Sequence, residues 1–472
     1  MNDQSSDSPM KQRLQSQKSA FAAAPFPALK ERIDKLDRII AMTAKYQPEL
    51  VDAARADFGN RSAAETTMVE VFGTTANAKN TRRRLSKWMR VKKVPTAPPF
   101  RPGYNRLMSQ PVGVVGIISP WNLAYNLAIA PAISAIAAGN RVMLKPSEIT
   151  PNTAALIASM VAEYFAPDEF DVFTGGADVA AEFSGLPFDH LLYTGSTAVG
   201  KKVALAAAQN LTPVTLELGG KSPVIIDRSA DLDEAAKRLA FAKMFNGGQI
   251  CIAPDYVLVP SELRDQLAHN ILKHARTFYP DAMDNDDYCS IVSDGHFARL
   301  EQLLTEAEIA GTKILGDSTA SASESRRMPL QLLLDPKESL TVMQEEIFGP
   351  LLPIVSYEQH DDALAYVAAR PRPLALYWFG KDKARRAQVL RESISGGVTI
   401  NDAIWHFAQE DQPFGGVGPS GIGAYHGEAG FLTFSKEKPV FYAPSWPYSL
   451  AMFHPPYTER TLKLLNFLRK IV

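Results

Sequence analysis

The chain has 472 residues, too many for one ordinary core and enough for two or three domains, because single cores rarely grow past about 250 to 300 residues. Apolar residues make up 46% and charged residues 21%, a composition that excludes a disordered or fibrous chain. With 50 basic against 51 acidic residues no surplus positive field exists to hold nucleic acid, and a small-molecule substrate is expected.

Residues 1–20 are polar and rich in Ser and Gln, without the apolar stretch of a secretory signal, and read as the flexible leader of a cytoplasmic protein. Residues 26–88 are helical in character, with Leu29, Ile33, Leu36, Ile39 and Ile40 at helical intervals. The basic run Arg82, Arg83, Arg84, Lys87, Arg90, Lys92 and Lys93 reads as a solvated helix face. A proline-rich connector over 94–103 cannot continue a helix. Strand and helix patterns then alternate: strands over 112–118, 141–145, 171–173 and 190–193, and helices over 128–138, 150–165, 179–183 and 199–208. Such βαβ repetition implies a parallel sheet covered by helices. A second α/β region runs from 214 to 398, with strands over 214–217 and 223–226 and helices over 232–245 and 261–279. Residues 399–442 are glycine-rich loop, and 457–472 form an amphipathic tail helix. No run approaches the roughly 18 apolar residues that span a bilayer.

Two cysteines, Cys251 and Cys289, cannot build a disulfide framework for a chain of this size and suit a reducing compartment. The 8 histidines lack metal-type spacing, so no metal site is expected. Two glycine patterns are deceptive. The run from Gly195 to Lys201 resembles a phosphate-binding loop, but Lys202 stands where a magnesium-binding Ser or Thr is needed. A turn from a strand into a helix N-terminus remains, which suits either a dinucleotide pyrophosphate or a structural turn. Gly416, Gly418 and Gly421 satisfy the dinucleotide fingerprint literally, yet they follow a Pro-Phe-Gly loop and include Pro419, which makes the match a chance one.

Cys251 follows the pair Gly247-Gly248 near a helix end. Paired glycines let backbone approach a substrate closely, and the cysteine's own N–H is placed to hold an oxyanion formed by attack of its sulfur. Glu217 precedes a Gly-Gly turn at a strand end, a common location for active-site residues in α/β folds. Taken singly, a lone cysteine is most often a small buried hydrophobe and such a glutamate most often a solvated or paired one. Their surroundings change that. Pro120-Trp121-Asn122, Lys145-Pro146-Ser147-Glu148, Thr194-Gly195-Ser196, Glu217-Leu218-Gly219-Gly220-Lys221, Gly248-Gln249-Ile250-Cys251, Glu346-Ile347-Phe348-Gly349-Pro350 and Pro413-Phe414-Gly415-Gly416 occur in that order. From about residue 26 to 439 the chain resembles the aldehyde dehydrogenase superfamily. Its short N-terminal region, Ala253-Pro254-Asp255-Tyr256 and the stretch from Gly416 to Gly427 are similar to the class 3 branch, closest to bacterial coniferyl aldehyde dehydrogenases.

The resemblance implies an α/β aldehyde dehydrogenase-like fold with a Rossmann-type cofactor domain (21–93 plus 107–213), an α/β catalytic domain (214–398) and a small bridging or oligomerisation element (94–106 plus 399–442). A leader (1–20) and a C-terminal tail helix (443–472), similar to tails that cap the substrate mouth in the class 3 branch, complete the chain. It implies a homodimer that oxidises an aldehyde to a carboxylic acid with NAD or NADP. Cys251 would attack the aldehyde, Asn122 and the Cys251 N–H would hold the oxyanion, and Glu217 would activate the water that releases the acid. Lys145 and Glu148 would bind the adenosine ribose, Gly195 and Ser196 the pyrophosphate, and Glu346 and Phe348 the nicotinamide ribose and ring. Glu148, a like charge to a 2′-phosphate, favours NAD and leaves NADP open. An aromatic substrate such as coniferyl aldehyde is expected, with a medium or long-chain aliphatic aldehyde as the alternative. A catalytically silent scaffold is disfavoured by the joint retention of Cys251, Glu217 and Asn122. Transfer to coenzyme A is disfavoured by Glu217 as a water activator. Ile250 and Ala124 stand where the family often has Thr and Pro, which changes the pocket walls and not the reaction.

Overall fold

The computed structural model describes residues 8–317, 322–444 and 454–470. Three sheets organise them. The first has six strands in the order Gly421–Ile422, Val214–Leu218, His190–Gly195, Val114–Ile118, Arg141–Lys145 and Phe170–Val172. All neighbours are parallel except the two-residue edge strand. Its central strand, Val114–Ile118, is buried on both faces, which explains a continuous apolar run in place of alternation. One face packs on the wholly buried helix Asn126–Ala138, backed by helices Leu29–Lys45 and Thr74–Trp88. Against the other lie the helices Pro9–Ala23, Ala177–Ser184 and Thr197–Ala208.

The second sheet has seven strands, in the order Lys313–Gly316, Gln331–Leu334, Leu351–Tyr357, Tyr256–Pro260, Pro223–Ile226, Ala375–Phe379 and Gly397–Ile400. Helices Leu232–Met244 and Arg264–Phe278 pack side by side and bury Leu239, Ala240, Leu267 and Ile271 against one face. The third sheet is a ribbon of Lys92–Val94, Tyr104–Pro111 and Ser435–Tyr442, all antiparallel. It projects Tyr104, Phe441 and Tyr442 into solvent, with the rings of Tyr104 and Tyr442 stacked at 4.6 Å.

Three boundaries differ from the sequence reading. Val214–Leu218 belongs to the first sheet, since Leu191 to Gly195 pair with it residue by residue. The chain therefore changes sheets at residues 219–222 and not at 214. The ribbon strand runs from Tyr104 to Pro111, past the expected edge of the bridging element at 106, because Ser435–Tyr442 pairs along its whole length. The expected flexible leader is largely a helix, Pro9–Ala23, started by Ser8, whose side chain accepts from the Lys11 N–H. Its helical periodicity is hidden because the inward face includes a polar residue. Gln17 is fully buried and donates to the carbonyls of Val142 and Pro167, both at 3.0 Å, while Met10 and Leu14 meet the sheet. Residues 1–7 of that leader, and 445–453 and 471–472 of the expected tail, lie outside the described residues. The tail helix forms as Glu459–Leu468 and buries no side chain. No described helix is long and apolar enough to cross a membrane.

The buried glutamine carries a measurable share of the docking of the first helix. Gln17→Ala removes two donated bonds and strands two carbonyls, which should destabilise the protein by about 1–3 kcal/mol, seen as a lower urea midpoint.

Candidate functional site

Glu217 sits at the C-terminal end of its strand, paired on one side with Thr194 and on the other with Gly421. The side chain is buried, and neither carboxyl oxygen has a hydrogen-bond partner. With no donor to favour the anion, burial raises its pKa well above the ordinary carboxylate value.

Cys251 is positioned by a kink between helix Leu232–Met244 and strand Tyr256–Pro260. Asn246, Gly247 and Gly248 take positive φ values of 52°, 62° and 73°, the left-handed region that favours glycine. At Gly248 the absence of a Cβ is also a packing requirement, since one would lie 2.5 Å from the Gly349 carbonyl. Asn246, the one residue of the three with a side chain, is held from several sides. Its N–H donates to Glu65 at 2.9 Å, and its amide donates to the carbonyls of Asn122 and Gln249, each at 3.2 Å. Gln249 in turn donates to the Ser290 carbonyl and accepts from the Val292 N–H. The thiol that follows is half-buried, and burial together with the charges of Glu346 and Glu217 pushes its pKa up. Three acidic groups therefore share one poorly solvated space.

Asn122 completes this centre. It is buried, and its amide donates to the Gln249 carbonyl at 3.1 Å, which leaves one of its two N–H bonds for another acceptor. Above it, Trp121 meets Phe348 edge to face at 5.3 Å. Glu346 folds over the Gly219-Gly220 turn, where a Cβ on Gly219 would collide with its carboxyl. Burial and the nearby Asp255 charge push its pKa up to about 8.

One ion pair ties these pieces together. Lys221 bonds to Asp255 and also donates to the carbonyls of Val342 and Glu345, both at 2.8 Å. The other oxygen of Asp255 accepts from the Ile347 N–H at 2.9 Å. The turn after Glu217, the loop after Cys251 and the loop that carries Glu346 and Phe348 are thus locked to one another.

The remaining expected residues gather at the first sheet. Lys145 is buried and reaches Glu148 at 2.6 Å. Burial opposes charge on Glu148, but the Lys145 bond outweighs it and lowers the Glu148 pKa. The Tyr193 hydroxyl meets Ser196 and lies in the field of Glu148, and a Cβ on Gly195 would strike that hydroxyl. Ser196 caps helix Thr197–Ala208 by accepting from Val199. A cavity of about 270 Å³ opens beside this N-terminus, lined by Thr197, Gly219, Gly220, Glu346 and Pro419. A helix N-terminus, glycines without side chains and a buried lysine–carboxylate pair fit a dinucleotide.

A second cavity, about 250 Å³, opens on Ile250 and Ile252, the chain neighbours of Cys251, and on Leu123, Phe245 and Trp405. It is apolar except for Asn77, Asn126, Glu410 and His426. Sequence reading had no signal for these polar groups, or for Glu65 and the buried Arg61–Glu70 pair at 2.9 Å, because a charged residue in a helix usually marks the wet face. It also set aside Gly416 to Gly421 as a chance match. The segment is a loop as expected, but its Ser420 carbonyl accepts from Leu218 and Gly421 pairs with Glu217, so it forms a wall of the site. Among the described residues no cluster suits a metal ion.

The aldehyde dehydrogenase family model matches residues 4–440. The chain belongs to the aldehyde dehydrogenase family. It is 46% identical over 445 residues to the coniferyl aldehyde dehydrogenase of Pseudomonas sp. (strain HR199), covering 93% of this chain and 92% of that one. It is 39% identical to the 4,4'-diaponeurosporen-aldehyde dehydrogenase of Staphylococcus aureus, over 91% of this chain and 92% of that one. The substrate-bound structure of Staphylococcus aureus AldH superposes with a TM-score of 0.93 at 36% identity, covering 98% of this chain and 100% of that one. This dehydrogenase is accordingly an NAD(P)-dependent aldehyde oxidoreductase.

Breaking the tie between the loops should cost both stability and rate in this dehydrogenase. Lys221→Met leaves the buried Asp255 uncompensated and should destabilise the fold by about 3–5 kcal/mol. Thermal unfolding and kcat should fall together.

Proposed function

We propose that this dehydrogenase oxidises an arylpropenal, coniferyl aldehyde, to its carboxylic acid with NAD as the electron acceptor. The observation that carries the chemistry is Glu217, a buried carboxyl with both oxygens unpartnered, in the electrostatic field shared with the Cys251 thiol. A carboxyl kept out of water without donors is a poor structural element and a good proton acceptor for a reaction step. The aromatic substrate is supported by the likeness to the coniferyl aldehyde dehydrogenase and by a cavity walled with Phe72, Phe245, Trp405 and Phe407.

The Cys251 sulfur, once deprotonated, adds to the carbonyl carbon, and the displaced π pair becomes an alkoxide. The free N–H of the Asn122 amide and the Cys251 backbone N–H hold that oxygen. When bound, the oxidised nicotinamide supplies the acceptor for the hydride that leaves the same carbon. What remains on Cys251 is a thioester. Glu217 takes a proton from water as its oxygen attacks the thioester, the C–S bond breaks, and the thiolate and carboxylic acid are released. Glu217 starts the step as the anion, so its raised pKa makes release faster as pH increases.

For the cofactor we assign Lys145 and Glu148 to the adenosine ribose, Gly195 and Ser196 to the pyrophosphate, and Glu346 and Phe348 to the nicotinamide ribose and ring. The exposed end of Glu148 repels a 2′-phosphate, which supports NAD over NADP. The sheet boundaries support a cofactor unit on the six-stranded sheet, a catalytic unit on the seven-stranded one and an oligomerisation element on the ribbon. The exposed Tyr104, Phe441 and Tyr442 support a homodimer across that ribbon, and two unpaired cysteines suit a cytoplasmic enzyme.

Reduced cofactor should accumulate when the enzyme is mixed with NAD and coniferyl aldehyde, and no turnover with any aldehyde would overturn the assignment. Cys251→Ala should lose activity by at least about 10⁴-fold. Glu217→Gln should give a burst of reduced cofactor followed by little steady turnover in stopped flow. With the wild type, the release-limited rate should rise with pH through a midpoint well above the carboxylate range, and Glu217→Gln should flatten that profile.

A further inference from the structure

The cavity beside Cys251 is apolar apart from Asn77, Asn126, Glu410 and His426; the Asn126 amide oxygen and His426 Nδ1 are without partners, but among the lining residues Glu410 alone carries a carboxyl. Asn126 donates to Thr74 at 3.0 Å, and its backbone N–H donates to Glu70 at 2.7 Å. His426 is buried, and its ring packs on Phe414 and Tyr425 at 5.5 and 4.5 Å. The Asn77 amide donates to one carboxyl oxygen of Glu410 at 2.6 Å. The amide oxygen of Asn77 has no partner although the residue is 2% exposed. An amide oxygen left bare in the interior costs free energy unless something else donates to it.

A clasp between helix Thr74–Trp88 and the loop that carries Glu410 would be the ordinary explanation. That clasp is already made by the next residue. Asp411 accepts from Asn80 at 3.3 Å and pairs with Arg84, which leaves Glu410 turned toward the cavity. Gly427 lets the loop come this close, since a Cβ there would strike the Glu410 carbonyl. The reacting centre is close at hand. The Tyr425 hydroxyl lies in the fields of Glu217, Cys251 and Glu410 together, and Ile250 and Ile252, on either side of Cys251 in the chain, line the same cavity as Glu410.

We propose that Glu410, positioned by Asn77, is a specificity-determining residue that accepts a hydrogen bond from a hydroxyl on the far end of the aldehyde substrate, the para hydroxyl of an arylpropenal. The chemistry of the pair selects this group. With one carboxyl oxygen of Glu410 taken by Asn77, the other seeks a donor, which a phenolic O–H supplies and an alkyl chain or methyl ether does not. Burial raises the Glu410 pKa to about 7, so its charge is not fixed firmly near neutrality, which suits a neutral partner better than a cationic one. Sites that hydrogen-bond a substrate hydroxyl reject the analogue without it because their own polar groups are then left unpaired.

The inference rests on the arylpropenal reading, and the test separates the two. With the full-length enzyme and NAD, kcat/KM is measured for coniferyl aldehyde and for the analogue that lacks only the para hydroxyl. The quantity read is the ratio between the two substrates, in the wild type and in Glu410→Gln, Glu410→Leu and Asn77→Ala. The wild type should favour the hydroxylated aldehyde by about tenfold or more. Glu410→Leu should bring the ratio to about one through KM, while Glu410→Gln, which keeps an acceptor oxygen, should retain part of it. A ratio left unchanged by Glu410→Leu overturns the proposal. Equal use of both aromatic aldehydes by the wild type overturns it too, while the arylpropenal reading stands. Turnover of aliphatic aldehydes alone removes the reading and the proposal together.

Discussion

The ion pair between Lys221 and Asp255 is the constraint on which the site depends. Both residues are nearly buried, with side-chain exposures of 11% and 4%, where a charge without a partner is costly. Each also uses its remaining hydrogen-bonding capacity on a third segment, the loop that ends in Glu346 and Phe348. Three short stretches distant in sequence are thereby set at fixed spacing. The parallel pairing of Pro223 with Tyr256 and Val224 with Val257 brings the two partners side by side, so the second sheet delivers the charges and the charges align the loops.

Electrostatics then limits what the centre can hold. Glu217, Cys251 and Glu346 all lose solvation, and the charges of Glu346 and Glu217 further raise the cost of ionising Cys251. Lys221 and Arg299 partly offset this at Glu346, but Lys221 is engaged with Asp255, and Lys243, buried against the Pro254 carbonyl, has a pKa lowered to about 8 by its own burial. The site therefore favours few negative charges at a time. This suits chemistry in which a proton leaves the sulfur in one step and arrives from water in another.

Much of this was legible in the sequence. The helical opening, the alternation of strands and helices and the tail helix follow from periodicity, and most expected elements lie within a few residues of the observed ones, as with 199–208 against Thr197–Ala208. The ordered motifs around Cys251 identified the family, and Glu217 and Asn122 do meet near it. What stayed hidden has a common cause. Gln17, Glu65, Asn77, Glu410 and Asp255 are polar residues turned inward, and periodicity assigns polar residues to solvent. The membership of Val214–Leu218 was equally hidden, because a strand's sequence records its burial and not the neighbour it pairs with.

That strand has a mechanical consequence. Glu217 is anchored in the six-stranded sheet, whereas Cys251 hangs from the loop leading into the seven-stranded one. The crossing between sheets is only Gly219, Gly220, Lys221 and Ser222. Under the proposed mechanism base and nucleophile thus stand on different sheets, joined at this point by a short glycine-bearing coupling. A substitution at the coupling can then mistime the two proposed half-reactions, which use the same carbon in turn, without altering either proposed reacting side chain.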